Sequence, residues 1–279
     1  MEYGSGIYMI SVGGLLLLAV GAWAVLRRCT DKVQRIAVFS VMLLNVLQHF
    51  LKPFLYPQYA GQGFSYNMTA YNLCALLIIL SPVAYLWKNR FLRNFVLMVG
   101  AVAGLSAIVF PVWFIGRPVW SLQWHYGRFY ICHALLFLSS VLPLALGHHR
   151  PSYKEFWQVG LAFLLGLCVI LINDVLLICA GIYPKIGTMG MYELLLETNT
   201  CLMMGPPKGL PWLTDIIGIF SPSFFMGNNP AGQYVPILWY AIPLYLGITV
   251  TALLVFSAMD HKNLAADIQT HRAKHPRKP

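Results

Sequence analysis

Charge is scarce in this chain. Asp, Glu, Lys and Arg together make up 10% of its residues, whereas a soluble globular domain carries about 25%. With 58% hydrophobic residues, that deficit excludes an ordinary water-soluble domain and points to a membrane protein. Also missing is any paired Cys-x-x-Cys pattern. The six cysteines (Cys29, Cys74, Cys132, Cys168, Cys179 and Cys201) are scattered, most of them in apolar runs. Neither a zinc site nor a disulfide framework is expected, and no metal or other cofactor is called for. Cys168 and Cys179 read as small buried hydrophobes. There is no internal repeat and no low-complexity tract. The N-terminus lacks the basic region of a signal peptide: Glu2 stands there, and Arg27 and Arg28 follow the first apolar run. That run reads as an uncleaved helix.

What is present is a set of seven apolar segments, near residues 7–26, 36–56, 71–87, 95–116, 127–147, 158–183 and 237–258. Each is long enough to cross a bilayer, which takes about 17–25 residues. The expected fold is all-α: a polytopic seven-helix transmembrane bundle over residues 1–258, followed by a basic tail at 259–279. Fourteen of the nineteen Lys and Arg residues fall on one side of such a bundle, including Arg27, Arg28, Lys88, Arg90 and Arg150. Lys52, Arg117, Arg128, Lys185 and Lys208 fall on the other. The positive-inside rule then places the N-terminus outside and the C-terminus in the cytoplasm. The formal charge of +10 is mostly this bias. It needs no nucleic-acid partner, and the tail suits contact with anionic lipid.

The connections on the basic side are short. On the other side residues 184–236 form a long segment with Gly, Pro and Asn clusters (GPPKGLPW, MGNNPAGQ) and apolar stretches (MYELLLE, LTDIIGIF). Long segments of this kind are functional or disordered, and the apolar stretches argue for an ordered lid with re-entrant or interfacial helices. Asn67-Met68-Thr69 is a glycosylation sequon on the same side. Gly100 and Gly104 form a GxxxG in the fourth segment, most simply a helix-packing feature.

Polar side chains in a bilayer are costly and need a partner or a purpose. The second segment carries Asn45, Gln48, His49 and Lys52 at spacings that share one helical face. The third begins Tyr71-Asn72-Leu73-Cys74, the fifth holds His133 beside Cys132, and the sixth holds Asn173 and Asp174. Counting about 1.5 Å per residue from the outer ends puts Cys74, His133, His49 and Asp174 roughly 5, 9, 10 and 14 Å deep. The polar residues therefore gather in the outer half. Cys74 and His133 would both sit near helix N-termini, where the dipole favours thiolate and neutral imidazole. A thiolate with a base beside it suffices for covalent acyl transfer. Asn72, Asn173 or a backbone N–H would stabilise an oxyanion, and Asp174 would orient a histidine, with His49 the closer match in depth. Cys132 is adjacent to His133, but neighbouring helix residues point about 100° apart, so no direct pair is expected.

Each feature also has a plainer reading. A lone cysteine at a helix start and an intramembrane histidine bonded to a carbonyl are commonly structural. Gln48, His49, Lys52 and Asp174 could equally line a solute or proton path in a small transporter or proton-coupled sensor. The apolar inner halves of the third, fifth and sixth segments argue against a continuous path.

YNLCALLIILSP in the third segment, AIVFP (107–111) in the fourth and FYICHALLFLSSVLP (129–143) in the fifth resemble the YwaF family of bacterial membrane proteins and its eukaryotic relative, transmembrane protein 164. The segment ETNTCLMMGPPKGLPW (197–212) is similar to the family's Asn…Pro…Pro-Trp stretch, here Asn199, Pro211 and Trp212. The resemblance spans most of the chain. It departs from the bacterial pattern at Ala70-Tyr71-Asn72-Leu73 and at Asn199-Thr200. It implies a multi-pass protein of a bacterial plasma membrane. It also implies lipid acyl chemistry without coenzyme A, with Cys74 as nucleophile, His133 as base, and a phospholipid or lysophospholipid as substrate.

Overall fold

The computed structural model describes residues 5–55, 66–111, 123–182, 190–206 and 211–274. Parts of the expected lid (184–189 and 207–210), the far end of the fourth apolar segment (112–116), Arg117, Lys185 and Lys208 lie outside the described residues.

The chain is all-α, with no strand among the described residues. In order the helices are α1 (Gly6–Leu26), α2 (Asp31–Phe50), α3 (Leu73–Trp87), α4 (Arg90–Val109), α5 (Gln123–Ala145), α6 (Trp157–Cys179), α7 (Met191–Thr198), α8 (Pro211–Phe220), α9 (Leu238–Met259) and α10 (His261–Lys274). Six of them, α1, α2, α4, α5, α6 and α9, are long and apolar enough to cross a membrane. The third apolar segment forms a helix of only 15 residues, about 22 Å long against about 30 Å of hydrocarbon.

Side-chain chemistry sets the ends of α3. At its start the Asn72 side chain accepts from Ala75 N at 2.9 Å, an N-cap that stops the helix from extending further. At its end Lys88 adopts the left-handed conformation (φ 58°), and Arg93 of α4 donates to the Ala84 and Tyr85 carbonyls. Asn89 then caps α4 by accepting from Leu92 N at 3.1 Å. Residues 69–72, immediately ahead of α3, are thus non-helical, and non-helical backbone at membrane depth needs protein partners.

The central cluster joins Leu77 and Ile78 of α3, Phe95, Val96 and Val99 of α4, Leu136 of α5, Val159 and Ala162 of α6, and Ala252 and Phe256 of α9. Apolar side chains also point outward, including Leu17 (75% exposed), Leu176 (62%) and Leu254 (66%). Such a surface belongs against lipid, not water. The GxxxG works as packing. A Cβ on Gly100 would sit 2.3 Å from Ser140 Oγ, and one on Gly104 would sit 2.7 Å from Phe137 N and 2.9 Å from the His133 carbonyl. The missing side chains let α4 lie against α5, and this fixes the height of His133.

Candidate active site

His133 is buried in α5, ten residues from the helix start at Gln123. Its Nδ1 lies 2.7 Å from the Phe129 carbonyl. A carbonyl only accepts, so Nδ1 carries the hydrogen and Nε2 keeps its lone pair. The Phe129 ring lies over the imidazole, centroids 4.3 Å apart. The half-buried Cys74 stands at the start of α3, which packs against α5. With Nδ1 spent on Phe129, Nε2 is the ring nitrogen that carries the lone pair.

Counting residues misplaced both side chains along their helices. α5 begins four residues before the expected boundary and α3 two residues after it. His133 is therefore deeper along its helix than expected, and Cys74 is shallower along its own. The Asn72 cap sets where α3 starts and so where Cys74 lies in the bundle.

The expectation that Cys132 and His133 would not pair is overturned. Cys132 Sγ lies 3.3 Å from His133 Nδ1. Both side chains fold back toward the helix N-terminus onto one acceptor, and the Cys132 thiol donates to the same Phe129 carbonyl at 3.4 Å. The angular separation of neighbouring residues is cancelled by rotamers that converge on one oxygen. Cys132 thus meets the protonated ring nitrogen, not the basic one.

The polar face of α2 holds this arrangement in place. Asn45 donates to the Cys132 carbonyl at 3.2 Å, and Gln48 donates to Asn45 Oδ1 at 2.8 Å. His49 donates from Nε2 to the Thr69 carbonyl at 3.2 Å. Lys52 donates to the Asn67 carbonyl and sits 5.3 Å from the centroid of the Tyr71 ring. From the opposite side, Asn173 donates from Nδ2 to Thr69 Oγ1 at 3.0 Å. These residues therefore grip the chain at 67–71, immediately before the Asn72 cap. Asp174 is 1% exposed. It interacts with Thr200 and Asn173, while its Oδ1 has no hydrogen-bond partner. It was expected from depth to orient His49, but His49 bonds to the Thr69 carbonyl instead, and Asn173, not Asp174, reaches Thr69 from α6.

The candidate oxyanion donors also sort themselves. Asn173 Nδ2 is turned to Thr69, and Asn72 Oδ1 accepts as the cap, which leaves Asn72 Nδ2 as the side-chain donor of the two. The first N–H groups of a helix have no intrahelical partner, so the Leu73 and Cys74 N–H groups at the start of α3 are the backbone candidates.

The third element of the site comes from the segment after α7. Asn199 ends α7 in the left-handed conformation (φ 35°). Its Nδ2 donates to the Gly205 carbonyl at 2.9 Å and its Oδ1 accepts from Met204 N at 2.9 Å. Cys201 (φ 53°) and Leu202 (φ 59°) follow in the same region, a strained state for side chains of this kind. Trp239 Nε1 holds the Leu202 carbonyl at 2.9 Å and the Tyr240 hydroxyl holds the Cys201 carbonyl at 2.9 Å. The strained turn packs Cys201 into the same cluster as Leu73. Pro211 opens α8, and Trp212 is 56% exposed on its outward face, away from His133. Sequence reading missed Cys201, Thr69 and the Phe129 carbonyl. Only the LETNTCLM stretch hinted at the first, and nothing in a sequence marks a left-handed cysteine.

Comparison with curated proteins and with solved structures returns no match. A family comparison does: the TMEM164 family model matches residues 4–259, covering the helices that carry Cys74, His133 and Asp174 and the strained turn between α7 and α8. With its membrane-spanning helices, the chain is an integral membrane protein and belongs to the TMEM164 family.

Proposed function

We propose that the protein is a lipid acyltransferase or acyl hydrolase working through an acyl-thioester on Cys74, on the side of the membrane opposite the basic loops. One observation carries this reading. His133 has its Nδ1–H fixed on the Phe129 carbonyl, which leaves Nε2 as its basic nitrogen, and Cys74 stands at the start of α3, a helix packed against α5. That is a base with a fixed tautomer beside a nucleophile.

In the first half-reaction the Cys74 proton passes to His133 Nε2 while sulfur attacks the ester carbonyl of a phospholipid. The oxyanion faces the Cys74 N–H and the α3 dipole. Collapse breaks the C–O ester bond, and the departing lysolipid oxygen takes the proton back from Nε2. In the second half-reaction Nε2 removes a proton from an acceptor hydroxyl or from water, and that oxygen attacks the thioester. The C–S bond then breaks, and the Cys74 sulfur regains the proton from His133. Cys132 is the weaker nucleophile candidate because it faces the nitrogen that already bears a hydrogen. A transport path through Gln48, His49 and Lys52 has less support, because those groups bond to Asn45 and to the carbonyls of Thr69 and Asn67.

The test is labelling of the detergent-solubilised protein with a lipid-tailed thiol- or acyl-directed probe, mapped by mass spectrometry. Label at Cys74 that collapses in His133→Ala is expected. Label at Cys132 would move the nucleophile, and slow, even labelling indifferent to His133 would remove the enzyme reading.

A further inference from the structure

Beneath the strained turn lies a cavity of about 350 Å³ between α6, α8 and α9, within the roughly 300–1,000 Å³ range of small-molecule sites. Phe163 and Leu167 of α6, Leu213 of α8 and Leu244 of α9 form its walls, with Cys201 and Leu202 at one end. Its two polar side chains are already spoken for: Trp239 Nε1 and the Tyr240 hydroxyl both hold carbonyls of the turn. The wall thus offers no free donor to a headgroup, and only a hydrocarbon matches it. From Asp174, beside the turn, to Phe163 is eleven residues of α6, about 16 Å along the helix axis.

The cavity shares its packing cluster with the start of α3. Leu73 and Leu76 of α3 pack into the same cluster as Leu167, Trp239 and Tyr240, together with Cys201 and Leu202. Cys201 is thus both the end wall of the cavity and packed in one cluster with Leu73, the residue before Cys74. On the outer face of α8, Trp212, Ile216, Ile219 and Phe220 are half or more exposed, so this wall faces lipid from which a chain can enter sideways.

We infer that this cavity between α6, α8 and α9 holds the fatty acyl chain of the lipid whose ester is presented to Cys74, with Phe163 near the methyl end and Cys201 near the ester end. This rests on the acyl-transfer reading above and adds to it the determinant of chain length. A large side chain at Leu244 shortens the space, and a small one at Phe163 extends it.

The experiment uses full-length protein in detergent or vesicles. Wild type, Leu244→Trp and Phe163→Ala are given phosphatidylcholines with medium or long acyl chains, and the acyl adduct on Cys74 is measured by mass spectrometry. A small water-soluble thiol reagent reports Cys74 reactivity separately. Leu244→Trp should lower the long-to-medium ratio by about tenfold, Phe163→Ala should raise it, and the small reagent should label all three alike. A wild-type ratio in both variants, with normal small-reagent labelling, would overturn the cavity assignment and leave the acyl-enzyme intact. Small-reagent labelling of wild type that ignores His133→Ala would instead sink the acyl-enzyme reading. Because a variant can misfold, wild type is also photolabelled with a phosphatidylcholine carrying a diazirine at the chain end. Crosslinks to peptides holding Phe163, Leu167 or Leu244 support the assignment, and crosslinks confined to the outward faces of α1 and α2 overturn it.

Discussion

Both ends of the bundle bury a histidine, and the two are used differently. At the basic end the His149 Nε2–H donates to Asn94 Oδ1 at 2.7 Å. Asn94 in turn donates to Glu155 and Gln158 at 3.1 Å each, and Arg90 grips Glu155 at 2.6 and 2.8 Å. Next to it His148 bridges Tyr85 and Gln34, at 3.1 Å each. Each donor in this group finds an acceptor, and the result ties α4 to the start of α6. At the other end the polar groups stop short of closure. His133 keeps one nitrogen for a thiol, Asp174 keeps one buried oxygen without a partner, and the turn at Cys201 is strained. A closed network stabilises; an open one retains capacity for chemistry. The two ends differ less in residue type than in whether the groups are used up.

The comparison breaks most sharply in activity. Cys74→Ala should abolish acyl transfer, a loss of about 10⁴-fold or more, and His133→Ala should cost about 10²–10⁴-fold. His149→Gln should leave turnover per folded molecule near wild type while lowering the melting temperature. If His149→Gln removes activity and His133→Ala does not, the two ends have been assigned the wrong way round.

Packing comes next in size. Gly104→Leu drives a side chain into Phe137 and the His133 carbonyl and should destabilise by about 3 kcal/mol, read by denaturation in detergent. It should also cut His133-dependent labelling of Cys74, because it moves the segment of α5 that bears His133. Gly14→Leu in α1, where a Cβ meets nothing within 4 Å, is the control and should leave both unchanged.

A third effect is pH. Burial, with Arg90 and Arg93 adding to it, lowers the His149 pKa from 6.5 to about 4. The unfolded chain therefore binds the proton more readily than the native state. The stability from keeping His149 neutral is complete above about pH 6.5 and is lost as the pH falls toward 4, by about 2 kcal/mol. Melting curves across that interval should slope more steeply for wild type than for His149→Gln, and equal slopes would assign the effect to another group. Smallest is Trp239→Phe, which deletes the bond to the Leu202 carbonyl and should cost about 1 kcal/mol. Its useful readout is the reactivity of Cys201, which should change as the turn relaxes while His149-dependent behaviour stays fixed.

Much of the helical layout was legible. Seven apolar runs became α1 to α6 and α9 because long apolar stretches with few charges have one way to satisfy their backbone in lipid. The i, i+3, i+4 face of α2 was visible in spacing alone, and it does turn Asn45, Gln48 and His49 to one side, whereas α2 ends at Phe50 and Lys52 opens a separate short helix (Lys52–Leu55). The ends of helices were less legible. Asn72 was visible as a residue but not as the cap that halts α3, and that cap decides where Cys74 meets α5. Rotamers were not legible at all, which is why Cys132 was set aside although its sulfur lies against His133.

The sequence by itself determined that this is an all-α membrane protein, which apolar segments form its long helices, and which few polar residues within them are chemically expensive. Those follow from composition and period, which act locally along the chain. Only the tertiary structure decided which nitrogen of His133 is free, that Thr69 joins His49 to Asn173, and that a strained Cys201 closes an apolar cavity beside Cys74. Each of these depends on contacts between residues far apart in sequence, where a shift of one helix boundary by two or three residues changes the partner.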